Sequence, residues 1–120
     1  MKALVTGAGG FVGKHLIEHL EESGDDVFGT DIIFGGPDLS DPVGLVDLFH
    51  DVLPEAVFHL AGQADVGHSW DAANETFRSN AEGTLNVLTA ARSAGVARVV
   101  TVTSADIYGI VSSEDLPLSE

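Results

Sequence analysis

The chain alternates short apolar runs with stretches whose apolar residues recur every three or four positions. Ala3-Leu4-Val5, stopping at Thr6-Gly7, reads as a buried strand. From Phe11 onward Val12, Leu16 and Leu20 share one helical face with Ile17 beside them, and Gly24 caps that helix. Val27-Phe28-Gly29-Thr30 is a second strand that ends at Asp31. The segment from Ile32 to Leu39 contains Gly35-Gly36-Pro37 and is expected to be loop, with a short edge strand near Leu39. Asp41-Pro42 starts a helix, an acidic N-cap followed by proline at the first helical position, and Leu45, Leu48, Phe49 and Val52 continue it until Pro54. Ala56 to Leu60 is the next strand. A long helix is expected from about Asp71 to Ala94, burying Phe77, Ala81, Leu85 and Leu88 and stopping at Gly95. Arg98 to Thr103 is the last clear strand.

Strands alternating with helices predict an α/β fold: a parallel sheet with right-handed crossovers and helices on both faces. Residues 1–109 form one domain in this reading. The acidic stretch 110–120 lacks periodicity, so the architecture is expected to stop before a further strand and a second domain.

Gly7, Gly10 and Gly13 fall between the first strand and the first helix. In that context Gly7 permits a tight turn, Gly10 lets backbone amides approach a pyrophosphate, and Gly13 allows close helix–strand packing. The helix amides, with the dipole behind them, then face the anion. The arrangement predicts a doubly wound, Rossmann-like sheet holding a dinucleotide. Asp31 can accept hydrogen bonds from both adenosine ribose hydroxyls and would repel a 2′-phosphate. No arginine or lysine follows it in Ile32-Ile33-Phe34, so NAD is favoured over NADP.

Charge and composition narrow the partners. The 120 residues carry 19 acidic side chains against Lys2, Lys14, Arg78, Arg92 and Arg98, a net charge of −14. Such a chain repels nucleic acid and anionic membranes, and the excess of carboxylates also fits adaptation to high salt. No apolar run approaches the roughly 20 residues of a membrane span, and the N-terminus lacks a signal-peptide plan. The chain has no cysteine, which fits a reducing compartment, and it is expected to be cytoplasmic. His15 and His19 lie four apart on a helix with no evident third ligand, so these residues and His50, His59 and His68 predict no metal site.

The glycine spacing after a threonine resembles that of the extended short-chain dehydrogenase/reductase family, in particular its nucleotide-sugar epimerases and dehydratases. Four more segments carry the likeness: Asp38-Leu39, His59-Leu60-Ala61-Gly62, Asn80-Ala81-Glu82-Gly83-Thr84, and Thr103-Ser104-Ala105-Asp106-Ile107-Tyr108-Gly109. The resemblance implies a strand order of 3-2-1-4-5, the edge strand near Leu39 being the third. It implies NAD held by Gly7, Gly10, Phe11, Val12, Gly13, Asp31, Ile32, Asp38, Leu39, Leu60, Ala61, Gly62 and Asn80. Ser104 takes the place of a catalytic hydroxyl that hydrogen-bonds the oxygen on sugar C4. The family's dehydratases carry an Asp-Glu pair where this chain has Ala105 and Asp106, so C4 epimerisation or reduction of a 4-keto sugar is expected before 4,6-dehydration. The 63–70 loop leans slightly toward GDP-sugar enzymes. The resemblance also implies a homodimer through the 71–94 helix, whose Leu85 and Leu88 should be exposed where a neighbouring helix is lacking.

One family element is missing. The base is a tyrosine followed four residues later by lysine, but the sole tyrosine, Tyr108, is followed at that spacing by Ser112. Both lysines lie in the first strand–helix unit. The chain is therefore expected to resemble the amino-terminal portion of an NAD-dependent enzyme and to lack turnover by itself. The rivals are a non-catalytic NAD-binding module and an S-adenosylmethionine methyltransferase. The Gly10-to-Gly13 spacing and the 104–109 segment argue against the second.

Overall fold

A computed structural model of the chain describes residues 1–118. The side chains of Val66, His68, Ala105 and Asp106 and the last two residues lie outside the described residues, and with them His68 as a ligand candidate and the Ala105–Asp106 pair. Four parallel strands, β1 (Lys2–Thr6), β2 (Asp26–Thr30), β3 (Ala56–His59) and β4 (Arg98–Thr101), lie in the order β2-β1-β3-β4. Leu4 stands opposite Phe28 on one side and Val57 on the other, and Val57 stands opposite Val99. This is the expected order without its outermost strand. The 3-2-1-4-5 arrangement is corrected at that edge: among the described residues the segment near Leu39 is a turn. The Asp31 carbonyl receives the Phe34 and Gly36 amides, and the Asp38 carbonyl receives Asp41 N–H at 2.9 Å, so the backbone is spent on turns before a strand can form.

Helices cover both faces. α1 (Phe11–Glu22) packs Leu20, Leu16 and Ile17 over Ala3 and Val5. On the other face α2 (Pro42–Val52) brings Leu45 and Phe49 over Leu4 and Val57. Asp41 Oδ1 accepts the Gly44 amide at 3.0 Å, the expected N-cap. Burial of side chains such as Phe49 and Leu45 contributes about 1.5–3 kcal/mol each. Val12, expected on the buried face of α1, is 58% exposed. It sits in the first turn, beyond the carboxyl end of the sheet, and Gly13 makes the packing contact instead.

The expected long helix is built in pieces. After α3 (Val66–Asp71), α4 (Ala73–Phe77) runs into a π turn over Arg78–Glu82 and then α5 (Gly83–Ser93). Its buried stripe is Gly83, Val87, Ala90 and Ala91. The stripe read from Phe77, Ala81, Leu85 and Leu88 is corrected at Phe77, 61% exposed, and at Ala81, also exposed, while Leu85 at 63% and Leu88 at 42% show the exposure expected of them where a neighbouring helix is lacking. Two causes combine. The extra residue of a π turn rotates the next helical segment by about 100°, so one face does not run through. α5 also crosses so near the 38–40 turn that a β-carbon on Gly83 would lie 2.7 Å from Leu39 Cβ, which selects small residues for the inner face.

Candidate functional site

The carboxyl end of the sheet carries the site, and the turn after β1 is its floor. Gly7 has φ +71°, a left-handed conformation that suits glycine, and its carbonyl accepts the Gly10 amide at 3.0 Å. A β-carbon on Gly13 would overlap the Gly7 carbonyl oxygen, so the glycine lets α1 start directly against the turn. The first bond of α1 into this turn runs from Lys14 N–H to Gly10, with the amides of Phe11, Val12 and Gly13 ahead of it at the positive end of the helix. No acidic side chain occupies that first turn. Phe11 itself is exposed, its ring edge-on to His15 with centroids 5.0 Å apart.

Asp31, at the end of β2, accepts from Gly9 N–H through Oδ2 at 3.0 Å and from Ile33 N–H through Oδ1 at 3.2 Å. The carboxylate thereby ties the glycine turn to the end of the second strand. Each oxygen keeps acceptor capacity for a diol placed against it. Asp38 accepts the Ser40 amide at 2.8 Å, and its hydrogen bonds with Ser40 hold its pKa below the ordinary carboxylate value. Asn86 of α5 donates to the Leu39 carbonyl at 2.8 Å and holds that turn over the cleft.

A cavity of about 640 Å³ gathers Gly7, Gly10, Asp31, Ile32, Asp38 and Leu39 with Leu60, Ala61 and Gly62. Phe11, Val12 and Gly13 lie beside it at the helix start and do not line it. A second cavity of about 740 Å³ adjoins it across the shared residues Leu60 to Gln63 and contains Ser104, Thr101, Thr84 and Asn80. Most of the residues expected to hold a dinucleotide thus lie on one side of this loop, and Asn80 lies with the expected catalytic hydroxyl on the other. Asn80 faces that loop: its Oδ1 accepts the Gln63 amide at 2.7 Å and its Nδ2 donates to the Gln63 carbonyl at 2.8 Å. Sequence reasoning missed Ser40, Gln63, Glu75, Arg78 and Ser79 on the first cavity wall. Arg78 brings a cation to a wall that also carries Asp31, Asp38 and Glu75. Its rarity in so acidic a chain is the signal that could have found it. No cluster of three metal-ligating side chains occurs among the described residues, and no helix there is long and apolar enough to cross a membrane.

The pattern that defines the NAD dependent epimerase/dehydratase family matches residues 3–120. The chain belongs to this family. Among the family's curated proteins, a GDP-6-deoxy-D-mannose reductase of Pseudomonas aeruginosa is 37% identical over 120 residues, covering 99% of this chain and 39% of its own length. A UDP-glucose-4-epimerase of Stenotrophomonas maltophila, solved with bound NAD and formylated UDP-arabinopyranose, superposes with a TM-score of 0.82 at 29% identity. The match covers 91% of this chain and 38% of that one. RMD from Pseudomonas aeruginosa, solved with NADPH, superposes with a TM-score of 0.79 at 36% identity, covering 99% of this chain and 39% of that one. The chain spans about two fifths of the length of these epimerase/dehydratase relatives. Family membership rules out the methyltransferase reading.

Proposed function

We propose that the chain is the cofactor-binding portion of a cytoplasmic, NAD-dependent nucleotide-sugar epimerase or 4-keto-sugar reductase that works at sugar C4. The observation that carries this reading is the placement of Ser104 in a cavity separated only by the Leu60–Gln63 loop from the one containing Gly7, Gly10, Asp31 and Asp38. NAD, when bound, supplies a hydride acceptor and donor for C4. The chain's own part is binding and orientation. Backbone amides at the start of α1 take the pyrophosphate, with the Gly10 turn open to it. Asp31 takes the adenosine ribose, and Asp38 with Leu39 takes the adenine. The Ser104 hydroxyl steadies the oxygen on C4. The exposed Leu85 and Leu88 face of α5 is proposed as the contact in a homodimer.

No residue of the chain supplies the base, because Tyr108 has no lysine four positions on. The chain by itself is therefore expected to bind NAD without turnover. That same gap favours a second reading, an NAD-binding module that performs no chemistry. Titration calorimetry with NAD and NADP, followed by assays with UDP- and GDP-sugars, tests the proposal. NAD binding stronger than NADP binding with no product supports it. Absence of NAD binding removes it, and sustained turnover by the pure chain overturns the assignment of the missing base.

A further inference from the structure

We propose that His59 is a positioning residue for dinucleotide binding, fixing the Ala61–Gln63 loop against the glycine turn through Thr6 and Thr84. His59 ends β3 and is buried, with 2% of its surface exposed. Its Nδ1 lies 2.7 Å from Thr6 Oγ1 and its Nε2 lies 3.0 Å from Thr84 Oγ1. The direction of each bond follows from counting protons. Thr84 spends its single hydroxyl proton on the Asn80 carbonyl at 2.8 Å, so it accepts from His59 Nε2–H. Burial disfavours the charged ring, so His59 Nδ1 carries no proton and accepts from Thr6 O–H. Thr6 Oγ1 in turn accepts the Ala61 amide at 3.3 Å. The ring is neutral and is held in one tautomer by the two threonines.

Both ends of this chain of bonds reach the same loop. One end is Ala61 N–H on Thr6, the residue just before Gly7. The other is Asn80, whose backbone carbonyl holds Thr84 and whose side-chain amide grips Gln63 on both backbone groups. The loop lies on the phosphate turn: a β-carbon on Gly7 would sit 2.8 Å from Ala61 N and 3.0 Å from Leu60 C. A shift of the loop is therefore a shift of the floor that carries the pyrophosphate. Asn80 lies within the π turn, and Thr84 follows the Gly83 amide that bonds back to Arg78. This role deepens the proposed function and rests on it for its connection to NAD.

Nitrogen NMR of the His59 ring and amide hydrogen exchange in the ligand-free chain provide the test, with NAD titration alongside. The expected ring is neutral, protonated on Nε2. Thr84→Val keeps the side-chain shape and removes the hydroxyl. It is expected to speed exchange at Ala61 and Gln63 and to weaken NAD binding, each by about tenfold, the size of one lost hydrogen bond. Remote amides such as Phe49 keep their protection. Thr84→Ser, which returns the hydroxyl, is expected to restore both. A proton on Nδ1, or unchanged exchange at both loop amides in Thr84→Val, overturns the proposal. The ring measurement needs no variant and decides the matter even if Thr84→Val does not fold. Failure of the native chain to bind NAD would overturn the proposed function instead, while the ring and exchange readings still judge the positioning role.

Discussion

Gly13 lies directly beneath the carbonyl oxygen of Gly7, close enough that a β-carbon on Gly13 would overlap that oxygen and come within 2.9 Å of Ala8 Cα. The atoms it would meet are backbone, which cannot rotate aside. Gly13→Ala is therefore expected to destabilise the fold by about 1–3 kcal/mol, the usual cost of overpacking. It should also weaken NAD binding, because relief requires α1 to move away from the turn. Chemical denaturation and calorimetry measure the two effects.

Asp31 joins the Gly9 and Ile33 amides and lines the first cavity. Asp31→Ala removes both the acceptor and the charge. We expect NAD affinity to fall by about tenfold, consistent with the loss of hydrogen bonds to a charged group. Discrimination against NADP should shrink, since the repulsion of its extra phosphate is gone. Parallel titrations with the two dinucleotides would detect both, and an unchanged NAD/NADP ratio would contradict the role assigned to the carboxylate.

The two faces of α5 give opposite expectations. Val87 is fully buried, so Val87→Ala should cost roughly 1–3 kcal/mol of stability through the cavity it leaves. Leu85→Ala, on the exposed face, should change monomer stability by less than about 0.5 kcal/mol. If that face is a subunit contact, Leu85→Gln should instead reduce self-association, read by light scattering.

Burial holds the pKa of His59 below the ordinary 6.5. The unfolded chain therefore takes up a proton near 6.5 that the folded chain resists, so the unfolded state binds more protons below that pH. The contribution of His59 to stability is full above about pH 6.5 and is lost as pH falls from there toward the depressed folded value. Urea midpoints at about pH 7.5 and pH 5.5 should show the decline, and His59→Gln should flatten it.

With a net charge of −14, the folded chain concentrates like charges that the unfolded chain spreads apart. Salt shortens the reach of this repulsion from about 10 Å at 0.1 M to about 3 Å at 1 M. The unfolding midpoint is expected to rise with sodium chloride over that range. A flat midpoint would show that the carboxylates are already spaced widely enough to be harmless, and a falling one that net attraction outweighs their repulsion.

Much of the site could be read along the chain because its parts are local. A glycine turn between a strand and a helix, an acid closing the next strand and a proline after an N-cap aspartate all declare themselves within a few residues, where backbone sterics and capping decide the structure. Asp31 and Ser104 come to one end of the sheet because parallel strands joined by helices all finish on the same side. Alternation of apolar runs therefore sufficed to place them. Three things depended on the third dimension. The inner face of the long helix went to Gly83, Val87, Ala90 and Ala91, because close approach favours small side chains and the π turn breaks the phase that periodicity assumes. The edge strand near Leu39 gave way to turns whose hydrogen bonds competed for the same backbone. The third was the Thr6–His59–Thr84 circuit, whose members are far apart in sequence and ordinary by type, so only the pairing of β1 with β3 and the path of the helix above them bring those hydrogen bonds together.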